Sequence, residues 1–195
     1  MASEGGNLLV KRIFDIVGSL VGIAVFGWLI VTLALLVRLT SKGPGILVQP
    51  RVGQGGEIFG CYKIRTMWQG TPAEATHEIN PSSVTPVGRI LRRFKLDEVP
   101  QIWNVLKGEM SLVGPRPCLP IQYDLIRERR QRGVFEVKPG VTGKSQVLGL
   151  DMSEPERLAI ADAEYIAEQS FLGDLILVLK TPRALLVGGK PERDT

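Results

Sequence analysis

Two adjacent carboxylates, Asp97 and Glu98, close the basic run Arg92-Arg93-Phe94-Lys95-Leu96-Asp97-Glu98. Such a pair can divide labour: one carboxylate attacks or takes a proton, while the other holds a divalent cation. Mg²⁺ suits this pattern, because it prefers carboxylate oxygens together with substrate phosphates. The nearby arginines can clamp a diphosphate through paired hydrogen bonds. They are also expected to keep Asp97 ionised, as a nucleophile must be. A structural reading stays open beside this one, since acidic residues at a helix start complement the macrodipole. Further along, Gly114-Pro115-Arg116-Pro117 breaks the helical pattern. The flanking prolines Pro115 and Pro117 fix the backbone. Arg116 is then either presented in one orientation to an anion or carried, exposed, on a stiff connector.

Other chemistries are poorly supplied. The single histidine, His77, lies in a polar stretch, which leaves carboxylates, Lys, Arg and Ser to carry any reaction. Cys61 and Cys118 are far apart and lack CxxC spacing, so they form neither a disulfide framework nor a zinc site. Gly140-Val141-Thr142-Gly143-Lys144-Ser145 looks like the end of a P-loop. The glycine required five residues before Gly143 is Lys138, and Pro139 after it has no N–H for a phosphate. The balance of 24 basic against 20 acidic residues, net +4, favours an anionic partner such as phosphate, nucleotide or acidic headgroup. Aromatics are few and not interleaved with the basic residues, which argues against nucleic acid.

The elements that must position these residues follow from periodicity. Residues 16–37 are almost wholly apolar, about 33 Å as a helix, enough to cross a hydrocarbon core. Lys11 and Arg12 precede this segment, and Arg38 and Lys42 follow it. Basic flanks on both sides leave two topologies open: a single-pass anchor, or a helix that bends near Gly22 to Gly27 and returns both ends to the cytoplasm. Gly18 and Gly22 form a GxxxG packing face. Residues 43–67 read as strand, turn and strand, and residues 68–85 as a polar loop. A basic helix over 88–95 places Arg89, Arg92 and Arg93 on one face, with Ile90, Leu91 and Phe94 largely on the other, suited to the headgroup region. Pro100 opens a further helix, and residues 119–132 form another. A short strand is expected over 134–137, then a turn-rich segment, 139–143. Ser153 to Glu156 fits a capping box for a helix reaching about Glu168, and an apolar run follows over 171–179. The boundaries expected are an anchor over 1–42, a catalytic domain over 43–187 and a polar tail over 188–195. The fold class is α+β, mainly helical with a small β-hairpin, and not a doubly wound sheet, because strands do not alternate with crossover helices.

Taken together, the motifs closely resemble the bacterial sugar transferases, the monotopic phosphoglycosyl transferases. The resemblance runs from Lys11 to Leu186. It is carried by Lys11-Arg12-Ile13-Phe14-Asp15, Gly43-Pro44, Gln49-Pro50-Arg51-Val52-Gly53, Lys63-Ile64-Arg65-Thr66-Met67 and Thr85-Pro86-Val87-Gly88-Arg89. Its core is the run LDEVPQIWNVLKGEMSLVGPRP from Leu96 to Pro117, and Pro139 to Gly143 with Gln146 complete it. The resemblance implies transfer of a sugar 1-phosphate from a nucleotide sugar, usually a UDP-sugar, to a polyprenyl phosphate, typically undecaprenyl phosphate. It implies that Asp97 forms a phosphosugar-aspartyl intermediate, that Glu98 is the Mg²⁺ ligand, and that Arg92 and Arg116 bind phosphates or help place the nucleotide. Lys63, Arg65 and Asp174 follow as substrate-binding candidates from motif position alone. It also implies a re-entrant membrane helix, contact with membrane lipids, and a bacterial inner membrane location with the catalytic domain facing the cytoplasm; a homodimer is left open.

The chain departs from the family pattern in three places. Phe26-Gly27 stands where a proline usually breaks the membrane helix, Leu148-Gly149-Leu150 replaces an Asn-Gly-Arg run, and Lys144 and Ser145 replace apolar residues. The rival reading of a different class is a non-catalytic, membrane-tethered scaffold, against which the intact Asp97-Glu98 pair and Pro115-Arg116-Pro117 both weigh.

Overall fold

The computed structural model describes residues 2–71 and 80–187. His77 and the polar tail over 188–195 lie outside the described residues. The apolar segment belongs to one uninterrupted helix, α1, Ala2–Thr40, which stays helical through Gly22 and Gly27. By length and composition, Leu8–Thr40 is sufficient to cross a membrane.

Both halves of α1 are fastened to the rest of the molecule. Near its start, Lys11 Nζ lies 2.5 Å from Asp174 Oδ2 and donates to the Val113 carbonyl at 3.0 Å. Arg12 donates to the carbonyls of Val105 and Leu106, both at 2.8 Å. Asp15 is buried and its Oδ1 accepts from Ser111 Oγ and the Leu112 N–H, both at 2.9 Å. At the other end Val37 packs in a buried cluster with Ile64 and Leu91. Gly18 and Gly22 leave room for the side chains of Leu112 and Ile102. The GxxxG face therefore seats the segments that carry Ile102 and Leu112.

The hairpin expected over 43–67 forms from β1, Ile46–Val52, and β2, Ile58–Ile64, which are antiparallel with Ile46 opposite Ile64 and Val52 opposite Ile58. Gly55, at φ +70°, permits the tight turn between them. Next comes α2, Pro86–Arg93, started by Thr85, whose side chain accepts from the Gly88 N–H, with Pro86 in the first turn. Helix α3, Gln101–Lys107, stops at Gly108, which is left-handed. Its Asn104 seals the hairpin's flank: Oδ1 accepts from the Tyr62 N–H at 3.0 Å, and Nδ2 donates to the Gly60 carbonyl at 2.7 Å. After β3, Ser111–Val113, the chain passes through α4, Tyr123–Gln131, and returns as β4, Gly140–Thr142. The two strands pair in parallel, Ser111 opposite Gly140 and Val113 opposite Thr142. Three helices close the domain: α5, Lys144–Val147, α6, Pro155–Ala167, and α7, Phe171–Val187. The described residues thus form a mainly helical α+β fold with a small hairpin and one long apolar helix.

Four local expectations are corrected. Residues Val134–Glu136 form a 3₁₀ turn, because Val134 is buried and Phe135 packs on the cluster of Val52, Cys118, Leu125 and Leu158, with no strand to pair with. The segment expected to be all turn contains β4, since a glycine at 140 lets its backbone approach that of Gly114 closer than any Cβ allows. The capping box does not form: Glu154 is the N-cap without a side-chain bond, and Ser153 Oγ bonds Asp151 instead. On α2 only Leu91 of the three apolar residues is buried, and Ile90 and Phe94 are exposed beside Arg89 and Arg93. Such a mixed basic and apolar surface suits a headgroup region better than two separate faces would.

Candidate active site

The two carboxylates share one 3₁₀ turn, Leu96–Glu98, and both are only 8% exposed. The chain enters this turn through Lys95 at φ +54°, the only non-glycine residue with positive φ among the described residues. A lysine held there is strained backbone, and such strain collects at functional sites.

Their environments differ sharply. Both Glu98 oxygens are taken by Arg116: Nη1 donates to Oε2 at 2.9 Å and Nη2 to Oε1. Lys63 Nζ lies 3.5 Å from Oε1. Burial pushes the Glu98 carboxyl up, but Arg116 and Lys63 outweigh it and hold it well below the usual range. Asp97 Oδ1 is buried without a hydrogen-bond partner. Burial, then the charge of Glu98, pushes Asp97 up. Arg116 pulls Asp97 in the expected, opposite direction, but its fork is spent on Glu98 and its pull is outweighed by burial and by the Glu98 charge.

The two readings left open for Arg116 are resolved by its backbone. The Pro115 carbonyl accepts from the Gly140 N–H at 2.9 Å, and the Arg116 carbonyl accepts from Arg129 Nη1 at 2.7 Å. The Pro117 carbonyl accepts from Arg51 Nη1 at 3.0 Å. Three successive carbonyls held in this way present the Arg116 side chain in one direction. Arg129 is itself held by Asp162, whose Oδ2 accepts from Nε at 3.0 Å and Nη2 at 2.6 Å. Asp162 Oδ1 accepts from Ser145 Oγ at 2.7 Å. The departure at Ser145 thus belongs to this buried network. Lys144 beside it pairs with Glu164 and Glu168 at 3.0 and 3.1 Å.

The remaining candidates separate. Lys63 joins the cluster, and burial lowers its pKa despite the opposing pull of Glu98. Arg92 is directed to Thr66 Oγ1 at 2.9 Å. Arg65 is not brought to the carboxylates. It donates to the carbonyls of Ser41, Lys42 and Gly43 and to Ser41 Oγ, capping the end of α1. Asp174 pairs with Lys11 and accepts from Tyr165 OH at 2.8 Å, so it fastens α1 to α7. Periodicity missed Arg51, which lines one cleft with Cys61, Lys63, Gln101, Arg116 and Pro117. The only signal was its place in Gln49-Pro50-Arg51-Val52-Gly53. Burial and then Arg116 lower its pKa to about 10.

Among the described residues no three His, Cys, Asp or Glu side chains converge as a protein-only metal cage. The donor set still fits Mg²⁺, which usually takes one or two carboxylates and completes its shell with water and substrate phosphate. Glu98 and the unpartnered Asp97 Oδ1 are the available oxygens. Glu98 must loosen its hold on Arg116 to serve.

The long apolar helix and the cationic carboxylate site fit a membrane-associated transferase, and comparisons with known proteins show that class. The family model described as bacterial sugar transferase matches residues 6–188. The UDP-glucose:undecaprenyl-phosphate glucose-1-phosphate transferase of Caulobacter vibrioides is 40% identical over 187 residues, covering 91% of this chain and 70% of that protein. The UDP-N-acetylgalactosamine-undecaprenyl-phosphate N-acetylgalactosaminephosphotransferase of Aeromonas hydrophila is 34% identical, covering 92% of this chain but 44% of that protein. The exopolysaccharide production protein ExoY of Rhizobium meliloti is 34% identical, covering 89% of this chain and 84% of its own. The chain belongs to the bacterial sugar transferase family.

Proposed function

We propose that this protein transfers a sugar 1-phosphate from a UDP-sugar to undecaprenyl phosphate, the first step of assembling a lipid-linked glycan. The observation that carries this reading is the asymmetry of the pair. Asp97 keeps a buried oxygen free of any partner, while Glu98 is held by Arg116 and Lys63. A free carboxylate oxygen beside a cationic cluster suits nucleophilic attack on a phosphorus atom. In the first step an Asp97 oxygen bonds to the phosphorus next to the sugar, and the bond from that phosphorus to the bridging oxygen breaks. UMP leaves with the electron pair. In the second step an oxygen of the lipid phosphate attacks the same phosphorus, the aspartyl–phosphorus bond breaks, and Asp97 returns as a carboxylate. Arg116 stabilises the charge that gathers on the phosphoryl oxygens, and Lys63 supports it. Glu98 would be the residue to hold Mg²⁺, which would supply charge neutralisation.

The relatives named as undecaprenyl-phosphate transferases support the acceptor. They differ in sugar, so the decisive test is a panel. Membranes containing the protein are incubated with UDP-sugars and undecaprenyl phosphate, and UMP release is measured. One or a few sugars are expected to give lipid-dependent turnover. Silence across the panel, with the protein folded, favours the scaffold reading.

The site belongs at headgroup level, on the cytoplasmic face of the inner membrane, where a lipid phosphate lies. The support is that both ends of α1 hold the same domain, Lys11 and Asp15 at one end and Val37 and Ser41 at the other. A helix that spans the bilayer puts its ends on opposite sides, whereas a re-entrant helix returns both to one; since α1 runs unbroken through Gly22 and Gly27, such a return requires the helix to bend there without breaking. A cysteine placed at Ala2 is expected to resist a membrane-impermeant thiol reagent from the periplasm. Background stays low, because Cys61 and Cys118 are buried. Efficient labelling at that position means a spanning anchor.

A further inference from the structure

We propose that Arg51 is a phosphate-binding residue, the cation in this cleft held in reserve for an incoming diphosphate. Arg51 is 7% exposed, so its charge is largely removed from water. Its hydrogen bonds go to neutral groups only, Nη1 to the Pro117 carbonyl at 3.0 Å and Nη2 to Gln49 Oε1 at 2.8 Å. Its Nε is buried with no partner. Among the described residues no carboxylate forms a salt bridge with it; Glu98, the acid of the cleft, is engaged by Arg116 and Lys63.

A buried, unpaired guanidinium is a costly arrangement, because desolvation is not repaid by an opposite charge. The neighbourhood raises that cost. Arg116 and Lys63 line the same cleft as Arg51. Three cations thus share one engaged carboxylate, Glu98. The cleft is closed as it stands; a dianion that opens it supplies the missing charge, and a guanidinium with an open Nε–H offers it a directed donor.

Arg51 is also suited to report that arrival. Through Pro117 it grips the loop that carries Arg116, so an anion drawn to Arg51 lands beside the residue that must leave Glu98. Assigning the anion as the diphosphate of the donor rests on the transferase reading, whereas anion binding itself does not.

The test uses the full chain in nanodiscs, in chelator, with inorganic pyrophosphate as the probe and thermal unfolding as the readout. A ligand that binds only the folded state raises the melting temperature in proportion to its occupancy. Wild type is expected to show a dose-dependent rise. Arg51→Gln should weaken the apparent affinity about tenfold or more, the weight of one charge-assisted contact. Arg51→Lys keeps the charge and should lie between wild type and Arg51→Gln. Repeating the titration with UDP and with farnesyl phosphate separates donor from acceptor. Loss confined to pyrophosphate and UDP marks the donor site, whereas loss confined to farnesyl phosphate overturns the proposal and places the residue on the acceptor side. The proposal is overturned if Arg51→Gln binds pyrophosphate as wild type does. It is also overturned if both variants lose binding and unliganded stability equally, since Arg51 is then only a brace for Pro117. Normal pyrophosphate binding without UMP release on the sugar panel would instead count against the transferase reading alone.

Discussion

Asp97→Asn is expected to stop turnover, by about a thousandfold or more, and to leave the protein as stable as wild type or more so. The activity loss follows from chemistry: an amide oxygen cannot form the phosphosugar bond and then leave as a carboxylate. The stability gain follows from linkage. Burial and Glu98 raise the pKa of Asp97 in the fold. A group raised on folding contributes stability below its unfolded pKa, and that contribution is lost as pH rises through the folded value. At neutral pH the ionised Asp97 therefore weakens the fold, and Asn removes the penalty. The same shift sets the pH profile of wild type, whose rate should fall on acidification at a pH above the usual carboxylate range. Donor alone should release about one UMP per active site, as covalent catalysis requires. The protein should gain the mass of a phosphosugar, removable by lipid phosphate. If no UMP appears until lipid is added, and both substrates must bind before any product leaves, Asp97 is a base or a metal ligand.

Glu98→Gln should show the opposite stability signature together with a large loss of rate. Its pKa is depressed in the fold by Arg116 and Lys63 against the pull of burial. A depressed acid contributes stability above its unfolded pKa, lost as pH falls through the folded value. Removing that charge at neutral pH breaks the paired hydrogen bonds from Arg116 and leaves Arg116, Lys63 and Arg51 facing no engaged acid. The expected cost is about 3 kcal/mol, typical of breaking a buried pair from one side. Activity should fall about a hundredfold or more, because a neutral amide is a poor ligand for a hard cation. Thermal melts of the two variants side by side test the first part. Assays in excess chelator test the second, where full wild-type activity removes Mg²⁺ from the reaction.

Much of the fold was legible because its signals are local. The apolar run, the glycine turn between β1 and β2, and the prolines opening α2, α3 and α6 each act over a few residues. What failed was non-local. Nothing within 111–113 or 140–142 announces a strand, because each is only three residues long and gains its identity from the other. The Asp97-Glu98 pair and Arg116 were legible as a constellation, but which carboxylate Arg116 would choose was not. That choice depends on the loop carbonyls held by Gly140, Arg129 and Arg51, residues scattered along the chain. Arg65 and Asp174 were singled out from motif position alone. In the structure they hold the anchor, and a motif does not distinguish holding from binding.

The carboxylate of Asp15 ties the long apolar helix to the catalytic machinery. It sits in α1, yet it receives the Ser111 hydroxyl and the Leu112 amide of β3, the strand that leads into the Arg116 loop. The β3–β4 pairing thus leans on a residue of α1, and the Arg116 loop is complete only with that helix seated. A chain trimmed of its first forty residues would lose part of the template on which its active site closes, so solubility cannot be gained here by simple truncation.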